Sequence, residues 1–309
     1  MKKFLGIDVG SISTNLATID ERKEVLDTLY LRTEGDPINA IKHGLLQLPE
    51  RDVAGVGTTG SARRLAGIIA GADIVKTEII AHAVAAQFFV PDVRTILEIG
   101  GQDSKIIILR EGVVIDFAMN SICAAGCGAF LDHQANRLRI PVQEFGCLAI
   151  RSKHAVNIAG RCTVFAESDM IHKQQIGYHR EDIISGLCDA IVRNYLNNVG
   201  KGKDIKPPIV FQGGVAANIG VRKAFEKELK AEIIVPEHFA VMGAIGAAIL
   251  ALEKNPLTSN FKGFNLAERN FLTSSFICDD CPNLCEIVVI KEEGEIAARW
   301  GSRCGKWNV

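Results

Sequence analysis

A short apolar strand, a glycine-bearing polar turn and a second strand occur twice in this chain. They read GIDVGSISTN at Gly6–Asn15 and, about ninety residues later, LEIGGQDSKIII at Leu97–Ile108. A fold that holds both must supply two similar sheets, each opened by its own tight hairpin. The flanking patterns agree: KKFLGIDVGSISTNLATID and KEVLDTLYLRTEG predict three antiparallel strands, followed by a helix at Asp36–Leu48, a strand at Val53–Thr58 and helices at Ser61–Ala70 and Glu78–Gln87. The sequence then restarts with strands at Arg94–Ile99, Lys105–Arg110 and Val113–Asn120. Helices are predicted at Ala124–Arg137, Val164–Lys173, Glu181–Val199, Asn218–Leu229 and Val241–Glu253, with strands at Lys206–Phe211 and Glu232–Val235 between them. Asn255–Asn265, rich in Asn, Ser, Gly and Pro, reads as a linker.

The formal charge of −1 lacks the positive excess of a nucleic-acid or membrane-surface binder, so neither partner is expected. The most apolar stretch, Phe239–Leu252, is shorter than the ~20 residues of a membrane span. The opening MKKFLGIDVG meets Asp8 and Gly10 before a secretory apolar core can form, and a cytoplasmic protein is expected. In that compartment nine cysteines argue for metal or redox chemistry rather than a disulfide framework. They fall into a middle group, Cys123, Cys127 and Cys162, and a tail group, Cys278, Cys281, Cys285 and Cys304; the isolated Cys147 and Cys188 read as small buried hydrophobes.

In the first hairpin Asp8 ends a strand and Gly10, Ser11, Ser13 and Thr14 form the turn. Backbone N–H groups and hydroxyls suit an anion there, and a carboxylate suits a metal ion or its water. Alone this fits a plain hairpin turn as well. The second copy, with Gly100, Gly101, Gln102 and Asp103, points to a pair of phosphate-gripping turns facing each other. A third glycine element, IVFQGGVAANIGVRKAF, is strand, Gly213–Gly214, then helix, where glycine lets a flat ring or ribose approach the backbone. It matches neither GxxxxGK[ST] nor GxGxxG.

The order of these elements, closed by EHFAVMGAIGAAI, resembles the actin/Hsp70/sugar-kinase superfamily. NSICAAGCGAFLDHQANRL and AGRCTVFAESDMI further resemble the activators, or component A, of 2-hydroxyacyl-CoA dehydratases and the BadF/BadG/BcrA/BcrD ATPases, over roughly residues 3 to 252. The resemblance implies an α/β fold of the two-lobed actin-like (ribonuclease H-like) ATPase type. It divides the chain into lobe I at 1–112, closed by helix 241–254, lobe II at 113–240, and a Cys-rich tail at 266–309. It implies ATP and Mg2+, with Asp8, Gln102 and Asp103 catalytic, Gly10, Ser11, Ser13, Thr14, Gly100 and Gly101 at the phosphates, and Gly213, Gly214 and Asn218 at adenosine. It also implies a 4Fe–4S cluster shared by a homodimer, each chain giving Cys123 and Cys162. Ferredoxin or flavodoxin would be the electron donor and an Fe–S dehydratase, reductase or double-cubane cluster protein the acceptor.

Physical chemistry is consistent with that ligand placement. An anionic thiolate cluster is stabilised at helix N-termini, and two cysteines per chain complete four ligands only on a two-fold axis. Closure of the lobes around ATP would then move the helices framing the cluster. Cys127 stands where the family has a small residue and is read as either an alternative ligand or a small side chain. Glu167 and Ser168, one turn into the second helix, are read as capping, nucleotide-contacting or water-positioning, and His133, His154, His172 and His179 as surface or interlobe residues.

The tail sequence CDDCPNLCEIVVIKEEGEIAARWGSRCGKW sets four cysteines around a hairpin, Glu286–Ile290 and Ile296–Trp300, as a zinc or iron–sulfur site. A segment so short lacks its own core without such a staple. Short activators lack this tail, and longer activator-like proteins carry a comparable one. Two other functions use the same ATP cleft: a sugar-type small-molecule kinase, and a nucleotide-gated scaffold.

Overall fold

The computed structural model describes residues 2–50, 52–120, 124–154 and 156–308. The chain divides into two compact units, Met1–Thr77 with Ala247–Val309, and Glu78–Gly246.

In the first unit, strands β1 (Lys3–Val9), β2 (Ser13–Asp20), β3 (Val25–Arg32), β4 (Val53–Thr59) and β5 (Ile74–Val75) form a sheet in the order β3-β2-β1-β4-β5. β1 pairs antiparallel with β2 and parallel with β4. Leu5, Ile7, Leu16 and Val56 are fully buried. They pack with Ile41 and Leu45 of helix α1 (Pro37–Gln47) and Ile69 of α2 (Arg63–Ala70). Helix α1 starts where it does because Asp36 accepts the Asn39 N–H at 3.1 Å and Pro37 occupies the first position.

The second unit repeats the plan. Helix α3 (Glu78–Phe89) leads into β6 (Thr95–Ile99), β7 (Ser104–Arg110) and β8 (Val113–Asn120), and β9 (Ile209–Gln212) and β10 (Ile233–Ile234) complete the order β10-β9-β6-β7-β8. This is the first sheet's order again, strand for strand. Helices α4 (Gly128–Leu138), α5 (Val142–Ala149), α6 (Thr163–Gln175), α7 (Arg180–Tyr195) and α8 (Ile219–Leu229) belong to this unit. Its core joins Leu97, Ile99 and Ile106 to Phe130, Phe145, Leu187 and Phe225. Helix α9 (Met242–Lys254) runs from the second unit into the first. Its small residues follow from close packing. A Cβ on Gly246 would stand 1.9 Å from the Ala81 carbonyl oxygen, and one on Gly57 of β4 would stand 2.1 Å from that of Ala247.

Three expectations are corrected here. The units part at 77/78 and 246/247 rather than at 112/113, because the β7–β8 hairpin is hydrogen-bonded to β6 and belongs to the second sheet. The tail is not a free-standing module. Its three strands, β11 (Phe271–Ile277), β12 (Glu286–Glu292) and β13 (Glu295–Trp300), send Phe271 and Ile290, with Leu266 just before them, into the first unit's core. The linker is held too: Asp73 accepts from Ser259 Oγ at 2.7 Å and from the Asn260 N–H at 2.8 Å. Third, Cys147 is exposed, while Cys188 is buried as expected. Among the described residues no helix is long and apolar enough to cross a membrane.

Candidate functional site

Each sheet opens on the same turn. Gly10 N–H donates to Ser13 O at 2.8 Å, and Gly100 N–H donates to Asp103 O at 3.0 Å. The residues behind the turns also correspond, since Asp8 pairs across the ladder with Asn15, and Glu98 with Lys105. A left-handed glycine closes on each acidic strand end. A Cβ on Gly60 (φ +92°) would lie 2.5 Å from Asp8 Oδ1, and one on Gly213 (φ +88°) would lie 2.7 Å from Glu98 Oε1. Only glycine combines this backbone conformation with this approach.

In the first unit Asp8 is half-buried, Ser11 exposed and Ser13 half-buried. The Thr14 side chain turns inward, fully buried, with Oγ1 3.0 Å from Thr33 Oγ1, and Thr33 donates to Gly10 O at 3.0 Å. Thr14 therefore braces the turn from behind, and the outward polar groups are Ser11, Ser13, Asp8 and the turn's backbone.

The second unit differs in charge. Lys105 Nζ lies 2.9 Å from Asp103 Oδ1, 3.0 Å from Glu98 Oε2 and 3.8 Å from Glu78 Oε2. Burial works against this ammonium, yet the three carboxylates around it hold it protonated well above the usual lysine range. Tyr195 on α7 donates to Lys105 O at 2.6 Å. One ammonium cannot balance three carboxylates, and burial pushes the Glu98 carboxyl up to about 7 against the pull of Lys105. His82, buried and 2.9 Å from Gln212 Nε2, is held neutral with its pKa lowered to about 3 by burial and by Lys105. None of Glu78, His82, Glu98 or Lys105 stood out as a site residue in the sequence. The signal available was charge inside apolar strands, LEI and SKIII.

This cluster gives stability a pH dependence. The folded protein keeps a proton on Glu98 that the unfolded chain loses around 4.5. Its contribution is therefore fully present below pH 4.5 and is lost as pH rises to about 7, by on the order of 3 kcal/mol. His82 acts with the opposite sign, adding stability as pH rises from about 3 to 6.5. The two windows overlap, so the informative quantity is the difference between wild type and Glu98→Gln, measured by denaturant melts across pH. Wild type should lose ground to the variant between pH 4.5 and 7.5; a difference that is flat with pH would contradict the assignment.

The sequence placed a helix directly behind Cys123. Cys123 lies outside the described residues, and Ala124–Gly126 is a 3-10 turn, so the α-helix begins only behind Cys127, which is buried at its N-cap. The reason is the hairpin: Gly128 N–H and Ala129 N–H, the first donors of α4, are taken by Gly100 O and Gly101 O, both at 2.8 Å. Cys162 is found as expected, half-exposed at the N-cap of α6 with no side-chain cap bond. Val164 and Phe165, next along the helix, are 67% and 63% exposed.

A buried asparagine holds the residues that precede Cys162 and lies close to Gly126. Asn194 of α7 donates to Gly160 O at 2.7 Å and Arg161 O at 3.3 Å, and its Oδ1 lies 2.7 Å from where a Cβ on Gly126 would stand. Glu167 reaches back to α4, 2.9 Å from Arg137 NH1 and 3.1 Å from His133 Nε2. It is an inter-helix tether, and Ser168 Oγ donates to its own helix at Val164 O.

Gly214 is exposed, whereas Gly213 meets its own sheet. Asn218 Oδ1 caps α8 through the Val221 N–H at 3.1 Å, which leaves the buried Nδ2 without a partner. Among the described residues no group of three or more His, Cys, Asp or Glu could hold a metal ion as placed.

Two sheets of identical order, each with a glycine-turn hairpin at its acidic strand end, define an actin-like ATPase fold. The chain belongs to the BadF/BadG/BcrA/BcrD ATPase family, whose model matches residues 5–251. It is 38% identical, over 81% of its length and 97% of the relative, to the (R)-2-hydroxyglutaryl-CoA dehydratase activating ATPase of Acidaminococcus fermentans. It is 32% identical to the 2-hydroxyisocaproyl-CoA dehydratase activator of Clostridioides difficile, over 81% of this chain and 95% of the relative. The crystal structure of component A of the A. fermentans dehydratase superposes with a TM-score of 0.76 at 35% identity, covering 82% of this chain and 99% of that one. The ethanolamine utilization protein EutJ of Carboxydothermus hydrogenoformans, at 16% identity and a TM-score of 0.53 over 81% of this chain and 91% of that one, shares the fold alone. Membership of this ATPase family brings ATP and Mg2+ as cofactors.

Proposed function

We propose that this protein is an ATP-dependent one-electron reductase, working in the cytoplasm as a homodimer and delivering low-potential electrons to a partner Fe–S enzyme. The relatives that support this reading are named as activators of CoA dehydratases, and a 28% identical one is a benzoyl-CoA reductase component of Thauera aromatica, matched over 79% of this chain and 91% of the relative. A dehydratase or reductase acting on a CoA thioester, or a double-cubane cluster protein, is the acceptor class, and a ferredoxin or flavodoxin the donor.

In this reading Ser11, Ser13 and the Gly10 turn bind phosphate, and Asp8 holds Mg2+ or its water. Gln102 and Asp103 serve the second phosphate contact with Gly100 and Gly101, while Gly213, Gly214 and Asn218 flank adenosine, Asn218 through its unpaired Nδ2. Cys162 fits a thiolate ligand, being half-exposed at a helix N-terminus whose dipole favours an anion, with exposed Val164 and Phe165 suited to burial against a second chain. Cys162 and Cys123 would hold the 4Fe–4S cluster across the two-fold axis. When bound, that cluster stores and passes one electron.

The observation that supports the proposal is the hydrogen bonding of the second glycine turn to the start of α4 inside the second unit. The Gly100–Gly101 turn is hydrogen-bonded to the first residues of α4, and Asn194, which lies close to Gly126, donates to Gly160 O and Arg161 O just before Cys162. In this reading these contacts would carry a change at the phosphate turn toward the start of α4 and the residues before Cys162. The test is to mix the reduced protein with a purified 2-hydroxyacyl-CoA dehydratase component under anoxia. Electron delivery should require MgATP and fail with MgADP; equal delivery without nucleotide would overturn the coupling.

A further inference from the structure

The family match ends at residue 251, and the A. fermentans relative is covered to 97% of its length, so the tail sheet is an addition to the ATPase body. Its four cysteines come from two places in sequence and meet at one end of the sheet. The β11–β12 register runs out through Ile277↔Glu286, which sets Cys278 opposite Cys285, and Cys278 N–H donates to Cys285 O at 2.8 Å. Cys281 sits in the loop between them, where Leu284 N–H returns to Cys281 O and Leu284 takes a left-handed φ of 42°.

Cys304 arrives from the other side. After β13 the chain turns at Ser302–Gly305, and this turn is pinned at two points to the Cys278–Cys285 loop. Arg303 NH1 donates to Asn283 Oδ1 at 3.4 Å, and Trp307 Nε1 donates to Cys278 Sγ at 3.3 Å. The backbone of Gly301 lies against β12, since a Cβ there would stand 2.2 Å from Glu286 O.

Two features of this end have no use in a plain β-hairpin. N–H donors already point at sulfur: Trp307 Nε1 at Cys278, and Asn283 Nδ2 at Cys281 Sγ at 3.6 Å. Charged groups also gather here, with Lys306 and Arg299 against the Trp307 ring at 5.4 and 5.6 Å, Lys306 paired with Asp280, and Arg303 reaching Asn283 of the loop. A tetrathiolate bound to a divalent ion carries two negative charges, and Arg299 and Arg303 are the cations at this end without a carboxylate partner among the described residues. The apolar packing at the same end rests on the Phe276–Trp307 ring pair, centroids 5.1 Å apart, while Ile277 and Leu284 are exposed.

We propose that Cys278, Cys281, Cys285 and Cys304 form a tetrathiolate site for one Zn2+, which closes the free end of the tail sheet. A single ion suits directly opposed Cys278 and Cys285. Cross-strand Cβ atoms stand about 4.5–5.5 Å apart, and Zn–S bonds of about 2.3 Å bring two sulfurs to within about 3.8 Å of one another in a tetrahedron. As placed, the sulfurs do not yet converge as a closed set of donors. The element that must move is the exposed Asp279–Leu284 loop, together with the exposed Cys304. Binding forms four Zn–S bonds and releases the four thiol protons to solvent.

The site does not depend on the bridging cluster, and its test keeps the two apart. Full-length protein carrying Cys123→Ser and Cys162→Ser is stripped of metal under reducing conditions and titrated with Zn2+, and in a parallel run with Co2+ as a coloured probe. One equivalent per chain is expected, with the thiolate charge-transfer and visible d–d bands of tetrahedral Co2+. Adding Cys281→Ser and Cys304→Ser, both at exposed positions, should weaken binding by more than tenfold, and Cys147→Ser should leave it unchanged. A native circular-dichroism spectrum in the multiple variants shows that the body stays folded. Absence of uptake, uptake that survives the tail changes, recovery of iron with sulfide in place of zinc, or tail cysteines found paired as disulfides would each overturn the proposal.

Discussion

Changing Asp8 to asparagine is expected to lower ATP hydrolysis by about a hundredfold or more while leaving the melting temperature within a degree or two of wild type. Asp8 ends β1 at the mouth of the Gly10–Ser13 turn and is half-buried, so its charge is not needed to fill the core. Asparagine keeps the shape that Gly60 has closed upon, where a Cβ would lie 2.5 Å from Asp8 Oδ1. What asparagine lacks is the negative charge that, in the proposed reading, would hold Mg2+ or its water and so order the phosphates for attack. Steady-state phosphate release, with nucleotide binding measured separately, checks this. An Asp8→Asn protein that hydrolyses ATP at the wild-type rate would remove Asp8 from the catalytic machinery.

The largest expected effect on stability belongs to Lys105→Met. The change strands Glu98, Glu78 and Asp103 around an apolar side chain at a position where Lys105 is 2% exposed. Removing one partner of a buried ion pair costs about 3–5 kcal/mol, because the remaining charge keeps its desolvation penalty. Protonation can relieve that penalty. Burial already pushes Glu98 up to about 7, and without the ammonium its carboxyl binds a proton more readily still. The loss should therefore be largest near pH 8 and less than half as large near pH 5. Adding Glu98→Leu to Lys105→Met should recover part of it, since a well-packed apolar pair avoids the buried charge altogether. Urea melts of the single and double variants at the two pH values decide the matter; a single variant as stable as wild type at pH 8 would show that Lys105 carries no such burden.

These two residues mark the boundary of what could be read from the chain. The turn that carries Asp8 is legible because a glycine turn between two alternating strands is a local pattern, and its recurrence at Gly100–Asp103 predicts the duplicated plan that the two sheets show. Lys105 was not legible as a partner of Glu98. Their contact depends on a cross-strand register, and the approach of Glu78 depends on where α3 lies, neither of which a window of sequence contains. The start of α4 differs from the sequence expectation for the same reason: its first N–H groups are satisfied by carbonyls of a turn twenty-eight residues earlier, Gly100 and Gly101, so the helix begins at Gly128. Helix α5 was missed because Val142–Ala149 is only two turns long and hides Phe145 and Gly146 in a core drawn from other helices. Strand β11, FLTSSFI, carries too many hydroxyls to stand out, and it is stabilised by pairing with β12 and by Phe271 entering the first unit's core.

The central claim, an ATPase whose chains share an iron–sulfur cluster, is tested most directly by counting iron and acid-labile sulfide per two chains in protein purified under strict anoxia. Four irons and four sulfides per dimer are predicted, lost in Cys123→Ser and in Cys162→Ser and kept in Cys281→Ser/Cys304→Ser, with ATP hydrolysis retained in all three. Wild-type protein that hydrolyses ATP yet carries no iron would contradict the electron-transfer reading and leave an ATPase whose free energy is spent on another task.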